Sequence, residues 1–479
     1  MPQLARAEKA QIPSAFVLYP DLHECFRQAA RLNGVPELRG VHCSRTLSGP
    51  EDVSGFLPDL MDALLRPLTE KEKEAGVWNP ANERILFEGT LEQAEKFYSQ
   101  SEIIPSLQNA PICKYSDGLP VTVPTEERVA EMLQGTSHKP EEIIKFQADH
   151  ELEERQIRMG RTGRKGDVCR FLPMRRTTTV EKVAVIGVMA GCTPGHMPIL
   201  LAMAEAGGGC GDGRGGGGYV ISGPIARQIG MNFDVNVFGP GNPSNRALGR
   251  AAELMWRNLG GEIPGVTNCG VQGTGLANCI PENAEALPPG WQGLNEEYGF
   301  KKSDNVLVSV GRIGHLHTTE FSPGGYRAFQ KSGHGGLARR LGVKGETGPK
   351  NWLGYQIPGF WKGTEGGFTF FMMPDMARSL YESGFKSKEA VYEWIYKNSY
   401  TTVAEYRTHS WPDMWTNGWN AIEESSGKRW KELPDDYMVP ACADPWQNCI
   451  IVTGGGEEVS SLTSGRGALD AGYSIDVWK

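Results

Sequence analysis

Cys192 stands in the stretch "VIGVMAGCTPGHMPILLAMAEA", where an apolar run stops and a helix is expected to begin, with His196 four residues further on. Thr193 and Pro194 suit the N-cap and first-turn positions, so the spacing predicts a helix from about Pro194. Free backbone N–H groups at its positive end would favour a Cys192 thiolate, the form that a nucleophile or a metal ligand needs. His196, in the first turn, is then placed to take the thiol proton or to orient a substrate. The same letters also suit a small apolar residue filling a tight bend, because cysteine is among the most buried residue types.

Four further constellations could carry chemistry. In "FGPGNPSNRALGR", Gly239 and Gly241 let backbone N–H groups approach a ligand at a helix N-terminus, a setting for a carboxylate or phosphate. Asn242, Ser244 and Asn245 are candidates to bind that ligand or to cap the helix, and Arg246 shares a helical face with Arg250. The stretch is neither a GxGxxG fingerprint nor a Walker loop, so it does not point to a nucleotide. Glu282, in "LANCIPENAE", is a candidate general acid or base beside His196. His315 and His317, in "GRIGHLHTTEF", fall on one side of an expected strand and could hold a metal ion, with Glu320 or His334 completing the set. Finally, Gly455 and Gly456, in "VTGGGEEVSS", follow an apolar strand and could close over a small ligand at a sheet's carboxyl end.

Elements that would position these residues can be read from periodicity. "DLHECFRQAARLNG" and "DVSGFLPDLMDALLRPLTEKEKE" have helical spacing, "ERILFEG" reads as a strand, and Thr125 caps a helix over "EERVAEML". The run "VEKVAVIGVMA" reads as a buried strand leading into the helix after Cys192, closed by glycines from Gly207. A second such unit runs from "YVISGPIARQIGMN" to the helix after Gly241, and "NVLVSVGRIGHLH", "GGFTFFMMPDMARSLYESG" and "NCIIVTGGGEEVSS" each set an apolar strand against a turn or helix. Strand, glycine turn and helix in succession predict an α/β fold built of layered units. A boundary near residue 110 would divide a small N-terminal α/β domain, 1–110, from a large core domain, 111–479. "GGGCGDGRGGGGYV", with Cys210, Asp212 and Arg214, reads as a glycine-rich loop or flap beside the Cys192 helix.

Composition narrows the class. The 479 residues are 39% hydrophobic and 22% charged, as in ordinary globular proteins, and 61 glycines with 31 prolines imply many tight turns. A formal charge of -8 argues against nonspecific nucleic-acid binding, which depends on neutralising phosphates. No run reaches the roughly 18 apolar residues of a membrane helix, and the first residues lack a hydrophobic signal core, so a cytoplasmic setting is expected. No CxxC pair or defensible zinc spacing occurs among the ten cysteines, which are expected to be free thiols.

With these motifs in hand, the chain resembles a bacterial family whose members accompany small proteins named for a UGSC motif, selenocysteine or cysteine followed by Gly-Ser-Cys. "DGLPVTVPTEERVAEML", "MAGCTPGHMPILLAMAEA", "FGPGNPSNRALGRAAELMWRNLGG", "PDMARSLYESGFKSKEAVYEWI" and "CIIVTGGG" carry the likeness across residues 115–479. "RLNGVPELRGVHCSRTLSGPEDV" makes residues 15–72 similar to the later part of the small UGSC domain. No Cys-Gly-Ser-Cys occurs in this chain, so the resemblance implies a second subunit carrying it and docking near residues 15–75, in a hetero-oligomer. It further implies thiol chemistry on a small molecule, as by a lyase or oxidoreductase acting on a carbon–sulfur or similar bond; the helix start at Gly239–Asn245 adds the expectation that the molecule is anionic. Where the family has a carboxylate after Gly-Cys-x-Pro, this chain has Gly195 and His196. A metalloenzyme built on His315 and His317, and a noncatalytic scaffold whose partner does the chemistry, are the competing expectations.

Overall fold

The structure is a computed structural model that describes residues 2–43, 54–74, 84–104, 109–151, 162–207, 218–268, 278–310, 317–318, 368–398, 400–404, 423, 425–440, 445–456, 460–464 and 471–479. Near the N-terminus, strand β1 (Ala15–Leu18), helix α1 (His23–Leu32) and strand β2 (Arg39–His42) make a parallel β–α–β unit. Helix α2 (Leu57–Leu65) packs on its strands. Leu18, Phe26, Ala30 and Leu38 form a small core of their own. The Arg39 guanidinium, buried beneath α2, pairs with Glu72 at 3.0 Å and donates to the carbonyls of Ala63, Arg66 and Pro67. Strands β3 (Ser101–Ile104) and β4 (Ala110–Cys113) then form an antiparallel pair across residue 110, where the sequence suggested a boundary.

Helices α3 (Glu126–Leu133), α4 (Val180–Ala190), α5 (Met197–Glu205) and α6 (Pro243–Leu254) gather into one apolar cluster. Two four-stranded sheets follow. The first, in order β14-β7-β5-β6, takes β5 (Gly218–Ser222), β6 (Cys279–Pro281), β7 (Val306–Val310) and β14 (Gly472–Ser474). The second, β12-β9-β13-β8, takes β8 (His317–Thr318), β9 (Phe368–Met372), β12 (Cys449–Val452) and β13 (Ser460–Ser464). Helix α7 (Leu294–Glu297) lies between β6 and β7 in the chain, and α8 (Pro374–Glu382) and α9 (Lys388–Asn398) follow β9. Strands β10 (Tyr400–Thr402) and β11 (Met438–Pro440) pair antiparallel.

The strand pleat decides which core each residue joins. Tyr219, Ile221, Cys279 and Leu307 turn toward α4, α5 and α6, while their neighbours Val220, Ile280, Val306 and Val308 meet Phe371, Cys449 and Ile451 of the second sheet. Phe370, Met372, Ile450 and Val452 turn the other way, onto α8 and α9. The layers therefore run helix, sheet, sheet, helix, within the broad α/β class. At their carboxyl ends β6 and β12 are stitched together: Asn283 N–H donates to the Val452 carbonyl at 2.7 Å and Thr453 Oγ1 to the Pro281 carbonyl at 2.8 Å.

Two expected strands are corrected. Val180–Ala190 is helical, capped by Thr179, whose hydroxyl accepts from Lys182 N–H. The run is apolar on nearly every side because α3, α5 and α6 surround it, and a buried helix of this length has no periodicity to set it apart from a buried strand. Its contact with α5 is close, since a Cβ on Gly187 would run into Leu200. The stretch "ERILFEG" forms neither helix nor strand at 85–88. The caps at Thr125 and Thr193-Pro194, and the helix after Gly241, fall where the spacing predicts them.

Candidate functional site

The correction to α4 alters the setting of Cys192. Gly191, at φ +85°, ends α4 in a left-handed turn, with its N–H donating to the Val188 carbonyl and the Cys192 N–H to the Gly187 carbonyl. Cys192 thus follows the negative end of α4 and precedes the positive end of the Pro194–His196 turn, so the two helix dipoles oppose each other there. Its side chain packs against the core, and burial pushes the thiol up to about 12. Burial thus works against the thiolate expected from the sequence, although Cys192 as a residue is half-buried. Cys279, the first residue of β6, is close enough for the Cys192 sulfur to add to the effect of burial in raising its thiol well above the usual range.

His196 is 5% exposed and belongs to the same corner. Its Nδ1 accepts from Thr193 N–H at 3.1 Å and lies 2.8 Å from the Thr193 hydroxyl, an arrangement that assigns the ring proton to Nε2. Burial lowers the imidazole pKa, outweighing the Thr193 carbonyl 3.3 Å from Nδ1, which would favour the charged ring. No hydrogen bond joins His196 to Cys192, the residue whose proton it was expected to take. Nε2 is buried without a partner, a donor whose desolvation nothing offsets.

The candidate anion loop is built differently from expectation. Asn242 donates to the carbonyls of Asn236 and Gly239, Ser244 to that of Ile229 at 2.6 Å, and Asn245 to those of Asn232 and Val237. Asn232 returns both favours, its side-chain amide reaching Asn242 and its N–H reaching Asn245, each at 2.9 Å. These three polar side chains therefore fasten residues 229–239 to the start of α6, where the sequence offered them as ligand-binding or helix-capping groups. Gly239 is required sterically, because a Cβ would strike the Asn236 amide, and Gly241 by its φ of +91°. Arg250 is held by Asp117 through two 2.9 Å contacts, whereas the side chain of Arg246, a half-buried residue, has no hydrogen-bond or ion-pair partner among the described residues.

Gly455 and Gly456 meet this same loop. The Gly454 N–H donates to the Phe233 carbonyl at 2.9 Å, a Cβ on Gly455 would strike Asp234 and Val235, and Gly456 lies beside Asp375. The glycine turn after β12 is thereby joined to the loop that leads into α6, more than 200 residues away in sequence.

Glu282 follows β6 but is 2% exposed and tied into a closed network. Its Oε1 lies 3.1 Å from Lys388 Nζ, and its Oε2 accepts from the Ser222 hydroxyl and Leu294 N–H, both at 2.7 Å. Lys388 also reaches Glu297 at 2.7 Å, and Tyr392 donates to the second oxygen of Glu297. Burial opposes the Lys388 charge, but the carboxylates of Glu282 and Glu297 more than offset that and hold its pKa above the ordinary lysine value. Glu282, the general acid or base expected from the sequence, is placed as a buried ion-pair partner linking β5, β6, α7 and α9. Lys388 and Glu297 escape a reading of the sequence, since nothing local marks a lysine 106 residues from its carboxylate.

For the metal reading, His315, Glu320 and His334 lie outside the described residues, and His317 is placed only as a backbone partner of Leu462. Cys210, Asp212 and Arg214 also lie outside them. Among the described residues no group of three or more His, Cys, Asp and Glu side chains could hold a metal ion, and no helix is long and apolar enough to cross a membrane. Comparison of the chain with protein-family models, with curated proteins and with solved structures gives no match.

Proposed function

We propose that this chain is a subunit of an enzyme acting on a small anionic molecule, holding the anionic group while the reactive thiolate comes from a second subunit that carries Cys-Gly-Ser-Cys. The observation behind the reading is the contact of the Gly454–Gly455 turn with residues 233–235 at the strand carboxyl ends, in the loop that leads into α6, whose first turn carries Arg246 with no side-chain partner among the described residues. The raised Cys192 thiol pKa favours a nucleophile from elsewhere. A lyase or oxidoreductase making or breaking a carbon–sulfur bond is the concrete version, in a cytoplasmic hetero-oligomer.

The test is mass spectrometry of small molecules released on denaturing the natively purified protein, wild type against Arg246→Ala and Gly455→Val. An anionic compound released in stoichiometric amount by the wild type and depleted in both variants is expected. Release of none, or of equal amounts from all three, would overturn the reading and leave the scaffold alternative. A second reading keeps Cys192 as the reacting atom, because Cys279 stands beside it and His196 Nε2 is unsatisfied. Loss of turnover in Cys192→Ser, with ligand still bound, would favour that reading.

A further inference from the structure

The β–α–β unit at the N-terminus carries a histidine at each of two neighbouring positions of its carboxyl edge. His42 is the last residue of β2, and His23 opens α1 just after β1, the strand that β2 pairs with in parallel. Both side chains are exposed, and their rings meet with His42 Nε2 3.2 Å from His23 Nδ1, the centroids 5.1 Å apart and the planes inclined at 73°.

A hydrogen bond and a shared metal ion make different demands on such a pair. In a collinear N–H···N bond of that length, the ring centroids would be about 5.5 Å apart. Two imidazole nitrogens on one tetrahedral ion, each at about 2.05 Å and pointing its lone pair at the metal, are about 3.3 Å apart with centroids about 5.2 Å apart. The observed separations fit the second case, as they also fit a hydrogen bond bent from the collinear arrangement. A square-planar ion would draw the nitrogens to about 2.8 Å, which the pair does not match.

We propose that His23 Nδ1 and His42 Nε2 form a two-imidazole seat for a tetrahedral divalent ion of the zinc class. Among the described residues no third ligand completes the set, so two positions are open to water or to an incoming oxygen or sulfur ligand. The carboxyl edge of a parallel strand pair is where α/β proteins place their ligands, and this seat is independent of the glycine turns described above.

The test titrates the chelator-stripped full chain with Zn²⁺ alone, following binding by calorimetry. One equivalent should be lost or weakened more than about 100-fold in His23→Gln and in His42→Gln, while the melting temperature without metal is unchanged because both side chains are exposed. Glutamine keeps a hydrogen-bonding group, so a pair that is only hydrogen-bonded predicts identical Zn²⁺ titrations for all forms, which would overturn the proposal. Loading the wild type with Co²⁺ gives a second readout: intense visible absorption is expected for a tetrahedral ion, and a weak octahedral spectrum would count against the seat.

Discussion

Two buried polar groups of this protein, one at the Cys192 corner and one between the sheets, are satisfied to very different degrees. Lys388, Glu282 and Glu297 are fully buried, yet the ammonium meets both carboxylates, and Ser222, Leu294 and Tyr392 supply further donors to the carboxylate oxygens. His196 and Cys192 bury an imidazole with an unpaired Nε2 and a thiol with no hydrogen bond. Removing one charge from a closed ionic network leaves another without compensation, whereas removing a group that is already unsatisfied loses little. The ionic cluster therefore belongs to the framework, and the Cys192 corner is the region with unused hydrogen-bonding capacity.

The largest expected effect breaks the first half of that contrast. Lys388→Met should lower the unfolding free energy by about 3–5 kcal/mol in urea titrations, because two buried carboxylates lose their cation. A loss below about 1 kcal/mol would remove the cluster from the framework. Next comes alkylation of the native protein by iodoacetamide at neutral pH, mapped by peptide mass spectrometry. With its thiol raised to about 12, Cys192 should react slower than in the unfolded chain by a factor on the order of 1000. Labelling at the unfolded rate would restore the thiolate.

A smaller effect concerns pH. The folded thiol pKa of Cys192 lies above its unfolded value, so its contribution is complete below about pH 8.5 and is lost as pH rises toward 12. Stability should fall by about 1–2 kcal/mol between pH 8 and pH 10, and Cys192→Ala should flatten that decline in chemical denaturation curves. A slope identical to that of the wild type would refute the assignment. The smallest expected change is in His196→Asn, which keeps an acceptor for Thr193 N–H and discards the orphan donor: stability should stay within about 1 kcal/mol. A much larger loss would mean that the imidazole is as firmly integrated as Lys388.

Local chemistry made part of this readable. Thr125, Thr193-Pro194, Gly207 and Gly241 mark helix ends because capping oxygens, a fixed proline φ and left-handed glycines act within a few residues. The apolar runs at Gly218–Ser222, Val306–Val310, Phe368–Met372 and Cys449–Val452 are strands as their composition suggests. The site was less legible for the same reason. Asn242, Ser244 and Asn245 carry the polar groups a ligand would need, and only the path of residues 229–239 decides that backbone carbonyls take them instead.

By itself the sequence determined where turns and caps fall, which runs are apolar, and which residue types are at hand, all properties carried by neighbours along the chain. Only the tertiary structure decided that Val180–Ala190 is a helix, since its surroundings and not its period bury it on all sides. Burial by distant elements also raises the Cys192 thiol pKa, and packing brought Glu282 to Lys388 and Gly455 to Val235. Charge state and hydrogen-bond satisfaction depend on what lies within a few ångströms in space, and residues far apart along the chain supply it.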